Sequence, residues 1–127
     1  MSEHPNAVLY RKMMQRFEEG DAGAFEDAVA DDVVWWHIGS SDPVRGKAAL
    51  LQSMHGMEGV EFQVDVHDVL ASDEHVVGLV TATVRVGDDE FSYRTAEITH
   101  VVEGKVVERW AFSDDTQAII DFFSRLG

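Results

Sequence analysis

The chain has 127 residues, 45% of them hydrophobic, and carries ten Lys and Arg against 24 Asp and Glu, for a formal charge of −14. That length makes one domain with a proper core, and the few scattered basic residues exclude a phosphate-binding face and with it nucleic acid. With no cysteine, no signal-peptide pattern in Met1-Ser2-Glu3-His4-Pro5 and no run near the ~18 apolar residues of a membrane span, disulfides, thiolate chemistry and membrane insertion drop out, and a cytoplasmic location is expected.

Pro5 suits a first helical turn. Ala7, Tyr10, Met14 and Phe17 recur at helical spacing, widened by Val8, Leu9 and Met13, so residues 6–19 read as a helix with one buried face. Gly20 stops it, and Asp21 is placed to cap a short helix over residues 22–30 whose apolar side is Phe25, Ala28 and Val29. Asp31 and Asp32 close that helix. The run Val33-Val34-Trp35-Trp36 then makes sense only as a strand, which carries one titratable ring, His37, before a loop from Gly39 to Gly46 that holds Pro43. Residues 47–55 suit a third short helix with Ala48, Leu50, Leu51 and Met54 apolar, ended by Gly56 and Gly59.

From residue 60 the period becomes twofold. Val60, Phe62, Val64 and Val66 alternate with Glu61, Gln63, Asp65 and His67, a half-exposed strand. Ser72-Asp73-Glu74 turns the chain into a second long strand over 75–86, Gly87-Asp88-Asp89 into a third over 91–102, and Glu103-Gly104 into a fourth over 105–112. Asp115 or Thr116 caps a last helix with Ile119, Phe122, Phe123 and Leu126 on one face. Helices gathered at one end and hairpin-linked strands at the other mean an α+β fold, and with no repeat or linker residues 1–127 form a single domain.

This order of elements, together with Gly20-Asp21, Asp31-Asp32-Val33-Val34-Trp35, Gly46-Lys47-Ala48, Gly104-Lys105-Val106-Val107-Glu108 and the late Trp110 and Asp114, resembles the SnoaL-like branch of the nuclear-transport-factor-2-like superfamily. That group includes ketosteroid isomerase, SnoaL-type polyketide cyclases and limonene epoxide hydrolase. The resemblance covers nearly the whole chain. It implies a cone: a strongly curved, mainly antiparallel sheet wrapped on about three N-terminal helices, plus a C-terminal helix, with an apolar pocket inside and frequently a homodimer. The fold alone does not settle function.

The resemblance also places roles on residues. The tyrosine of ketosteroid isomerase falls on Met13, its general base on His37 and its protonated acid on Glu97, so the phenol is lost; Tyr10 lies one turn from the matching place. The acid or base of SnoaL-type cyclases falls on Asp114. An Asp-Arg-Asp relay of the epoxide-hydrolase kind would use Arg109 and Asp114, which have opposite strand parity.

The residues themselves point to acid–base work by His37 and Glu97. In an apolar cone, burial raises a carboxyl pKa and lowers that of an isolated imidazole, while contact between the two opposes both shifts. Such a pair contributes ~10²–10⁴-fold and suits proton abstraction beside a carbonyl, aldol-type cyclisation, dehydration or water addition. His37 is the expected base, with Glu97 or Asp114 as its orienting partner or acid. Trp35 shares parity with His37, and Tyr93 and Thr95 share parity with Glu97; with Met13, Phe17 and Trp110 these are the expected ligand contacts.

Blander readings stay open: His37 as a core or loop-edge residue, Glu97 facing solvent or a dimer partner, Trp110 as core. Arg94 and Arg109 are expected to pair with surplus carboxylates. His4, His55, His67 and His75 share no ligand spacing, and no phosphate loop or nucleophilic serine motif is present, so neither a metal nor a cofactor is expected. The expected partner is a small hydrophobic molecule. It would be handled by a cofactor-independent isomerase, cyclase, dehydratase or hydrolase, or by a binding protein without catalysis. A dimerising module with a filled cone is the remaining alternative.

Overall fold

The structure, a computed structural model, describes residues 3–21, 23–55 and 59–125, without the side chains of residues 24, 54 and 55. The expectations placed on Ala22, Gly56 and Leu126, and on the side chains of Met54 and His55, lie outside the described residues. In chain order the elements are α1 (Pro5–Glu18), α2 (Gly23–Ala28), β1 (Val29–Trp35), β2 (Val44–Arg45), α3 (Lys47–His55), β3 (Glu61–Ala71), β4 (His75–Val86), β5 (Asp89–Val102), β6 (Lys105–Ser113) and α4 (Thr116–Ser124).

Local chemistry fixes the helix starts. The His4 ring accepts from the Asn6 N–H at 3.0 Å ahead of Pro5, and the Asp21 carboxylate accepts from the Gly23 N–H at 2.9 Å. Asp115 caps α4 by accepting from the Ala118 N–H at 3.0 Å. Among the described residues no helix is long and apolar enough to cross a membrane.

The six strands form one sheet in the order β2-β1-β6-β5-β4-β3. Every neighbouring pair is antiparallel except β1 with β6, which is parallel. Alternation in β4 turns Val76, Val80, Ala82 and Val84 inward. Register shifts at Val66/Asp68 in β3 and His100/Val101 in β5 bend the long strands, so the sheet curls round the helices as an unclosed cone. Tyr10, Met13 and Met14 of α1 meet Val29, Val33, Trp35, Leu50, Val76, Val80, Val101 and Val106, and Phe25 stands edge-on to Trp35 at 5.3 Å.

Several boundaries differ from the sequence reading. β1 begins at Val29, not beyond Asp32, because Val29 is fully buried against Val106 of β6, and a β-branched residue is better placed in a strand than in a helix. It ends at Trp35, which leaves Trp36 and His37 past the strand, while Val44 and Arg45 in the expected loop pair with Trp35 and Val34 as β2. β3 continues to Ala71: the shift after Val66 resets the alternation, so Val69 and Ala71 pack inward although they lie out of phase with Val64.

Candidate active site

The wide end of the cone is open. A cavity of about 370 Å³ is walled by apolar side chains from every layer, among them Met14 and Phe17 of α1, Trp35 of β1, Phe62 and Val64 of β3, and Ile119 and Phe123 of α4. Its polar groups are Ser53 of α3, Tyr93, Thr95 and Glu97 of β5, Arg109 of β6, and His37 in the segment after β1. The volume falls within the ~300–1,000 Å³ usual for small-molecule sites.

Glu97 is the centre of the polar end. Tyr10 Oη donates to its Oε1 at 2.7 Å, and Arg109 Nη2 donates to its Oε2 at 2.9 Å. Arg109 Nη1 donates to the Trp36 carbonyl at 2.8 Å, and the Trp36 N–H returns a 2.8 Å bond to the Arg109 carbonyl. The guanidinium also lies over the Trp35 ring, 4.8 Å from its centroid. Arg109 therefore ties β6 to β5 and to the chain segment that presents His37. The ion pair is nearly enclosed, with side-chain exposures of 11% for Arg109 and 13% for Glu97. In such surroundings desolvation consumes much of the Coulombic gain, and the added hydrogen bonds make the pair tolerable.

Tyr10 reaches Glu97 across β4 because residue 78, in register with Glu97, is glycine. A Cβ there would overlap Tyr10 Oη, Cζ and Cε1. Burial first, then the Glu97 charge and hydrogen bond, push the Tyr10 phenol far above its ordinary value.

His37 is half-buried at the cavity wall and also borders a groove on the outer face lined by Trp36, Trp110 and Phe112. Burial lowers its pKa, and the positive charge of Arg109 lowers it further. The imidazole and Glu97 open on the same cavity, yet no hydrogen bond joins them among the described residues; the carboxylate is held by Tyr10 and Arg109 instead. The direct His37–Glu97 contact expected from sequence is thus replaced by one routed through Arg109.

Phe17, Trp35, Tyr93 and Thr95 line the cavity, as does Arg109. Three other expected site residues do not. Asp114 leaves the end of β6 on the outer side, where it accepts from the Arg94 N–H at 3.1 Å and from Arg94 Nε at 3.4 Å; those bonds hold its carboxyl below the usual range. Met13 is packed in the core, and Met14, turned ~100° from it around the helix, takes the cavity wall. Trp110 alternates with the inward Arg109 and therefore faces the outer groove. Sequence reading missed Tyr10 as a member of the site; the signal for it was Gly78, a glycine inside a Val- and Thr-rich strand, which marks close approach by another group. Among the described residues no group of three or more His, Asp or Glu side chains is arranged to hold a metal ion.

Comparison with known proteins adds the family. The model described as a SnoaL-like domain matches residues 10–109. No curated protein sequence matches the chain. Among solved structures, the chain is similar to an epoxide hydrolase of limonene-epoxide-hydrolase type from M. tuberculosis, with 20% identity, 94% of this chain and 87% of that chain covered and a TM-score of 0.80. It is also similar to an NTF2-like protein of unknown function from Burkholderia pseudomallei, at 19% identity, 94% and 97% coverage and a TM-score of 0.82. A computationally designed 17-OHP binder aligns at 16% identity, 87% and 93% coverage and a TM-score of 0.77. At these identities the likenesses establish the shared fold.

Proposed function

The chain belongs to the SnoaL-like domain family, and from that premise we propose that it is a cofactor-independent acid–base enzyme acting on a small apolar molecule, with His37 as the base. One observation carries the reading: a titratable ring and the Glu97–Arg109–Tyr10 network border a single, mostly apolar cavity. Because burial and Arg109 lower the pKa of His37, the ring is neutral at pH 7 and has a lone pair with which to take a proton. Glu97 acts as a positioning residue. It fixes the guanidinium whose charge keeps the imidazole neutral. The epoxide hydrolase among the similar folds supports an enzymatic reading of this fold, and isomerisation, cyclisation, dehydration and water addition all call for such a base.

The test is turnover. Wild-type protein is incubated with a panel of small cyclic ketones and epoxides and the products are read by mass spectrometry and NMR. His37→Gln is expected to lower kcat by ~10²–10⁴ for any substrate found. Equal turnover by the variant removes the histidine from the mechanism.

A second reading, ligand binding without chemistry, is favoured by the missing hydrogen bond between His37 and any carboxylate among the described residues, and by the designed 17-OHP binder on the same fold. Tight binding with no product across the panel decides for it. The proposed protein is a homodimer, a reading supported by the outer sheet face, where Phe112 is 61% and Leu70 54% exposed. A single-chain mass in light scattering at micromolar concentration would remove that part.

A further inference from the structure

We propose that the hydroxyls of Tyr93 and Thr95 receive an oxygen atom of the ligand, and that this ligand is a neutral carbonyl compound and not an acid. The inference rests on the reading of the cavity as an acid–base site and specifies what enters it.

Residues 93, 95 and 97 share the inward face of β5, so the two hydroxyls stand in line with Glu97 along the cavity wall. The carboxylate beside them is already engaged. Both oxygens of Glu97 accept bonds, and the phenol of Tyr10 is used to make one of them. Thr95 Oγ1 is buried without a hydrogen-bond partner among the described residues, in a residue more than nine-tenths buried, and the half-buried Tyr93 borders the same cavity. A buried hydroxyl left without a partner is costly, and a ligand oxygen relieves that cost. The Tyr93 ring is held in place by stacking on Phe91 at 5.7 Å, and Phe91 stacks in turn on Phe122 of α4 at 5.2 Å. Burial and the neighbouring Glu97 charge push its phenol up to about 12, so it keeps its proton and remains a donor throughout the working range.

Charge decides the class of ligand. The one cation lining the cavity among the described residues, Arg109, has its charge paired with Glu97 through Nη2 and gives Nη1 to the Trp36 carbonyl, which leaves only the buried Nε without a partner. No positive charge is left for a carboxylate, and the chain's net −14 repels anions on approach. A carbonyl oxygen has two lone pairs and accepts from both hydroxyls. When His37 takes a proton from the carbon beside that carbonyl, the C–H electron pair forms the C=C bond and the C=O π pair moves onto oxygen. The bonds from Tyr93 and Thr95 then stabilise the enolate oxygen without transfer of their protons.

Infrared spectroscopy of bound ketones tests this directly. The probes are acetophenone and 1-tetralone, with benzoate and 1-naphthoate as anions of matched size, and affinities come from calorimetry. The ketones are expected to bind with the C=O band shifted to lower frequency than in an apolar solvent. Tyr93→Phe should remove most of that shift and weaken binding about five- to tenfold. Thr95→Val is expected to give a smaller change in the same direction, and it carries the test if the first variant fails to fold. The carboxylates should bind at least about tenfold more weakly than the ketones, since pairing their charge would leave Glu97 or the ligand uncompensated. An unshifted band, a shift unchanged in both variants, or benzoate binding as tightly as acetophenone overturns the proposal. Ketones that bind without a band shift overturn it and leave the acid–base cavity standing. A shifted band with turnover unaffected by His37→Gln removes the base and keeps the oxygen site. No binding by any ketone sinks both.

Discussion

Two Arg–carboxylate pairs join the edges of β5 and β6, and they live in different worlds. Glu97 and Arg109 meet at 2.9 Å inside the cone with side-chain exposures of 13% and 11%, while Arg94 and Asp114 meet at 3.4 Å on the outside with exposures of 76% and 43%. Each pairs an arginine with a carboxylate, Glu97 inside and Asp114 outside, and the faces of the sheet differ. The inner pair cannot exchange its partners for water, so it must be completed by Tyr10 and the Trp36 carbonyl. The outer pair can exchange at no cost, and it closes a strand end without committing the protein to anything. Asp114, a catalytic candidate by position, lies in solvent and outside the cavity, bonded to Arg94.

The largest break in this contrast comes from Glu97→Gln. Removing the charge strands Arg109 in the interior and should cost about 3–5 kcal/mol of stability, read as a lowered urea midpoint. Tyr10→Phe deletes one hydrogen bond to that carboxylate and should cost about 1.5–3 kcal/mol by the same measurement. Gly78→Ala, which drives a methyl group into the Tyr10 ring, should cost about 1–3 kcal/mol and displace the phenol from Glu97. A larger loss in Gly78→Ala than in Tyr10→Phe would show that the ring, and not its hydroxyl, dominates this contact.

Stability should also vary with pH through His37. The folded-state pKa of His37 is lowered from the ordinary 6.5, so the folded protein resists taking a proton there that the unfolded chain accepts. This contribution to stability is complete above pH 6.5 and is lost as pH falls through the lower folded value. Wild type should therefore lose stability between those limits, and His37→Gln should flatten that part of the curve. The smallest effect is expected from Asp114→Asn, which should leave both the urea midpoint and any turnover unchanged within error. A clear loss of activity there would return Asp114 to the site.

Much of the fold was legible because its signals are local. The period of Val60 to Val66, the turns at Gly87 and Gly104 and the helical stripe of Tyr10, Met14 and Phe17 depend only on near neighbours. The inward parity of Tyr93, Thr95 and Glu97 could be read the same way. What joins Glu97 to Tyr10, 87 residues away, is the path of α1 over β4, and no local pattern encodes it. Its trace in sequence is Gly78, which has meaning only once something is known to lie above it. The first strand was misplaced for a related reason. Its start at Val29 is set by pairing with Val106, a partner 77 positions further on.

His37 touches the inner cavity and the outer groove at once, between Trp36 and Ile38. A base in a sealed chamber must wait for product to leave before it can be reset, whereas an imidazole set in the wall has bulk water at its back. With His37 as the base, recharging of the catalyst and departure of the product become separate events, so buffer concentration and product affinity should limit the rate independently of each other.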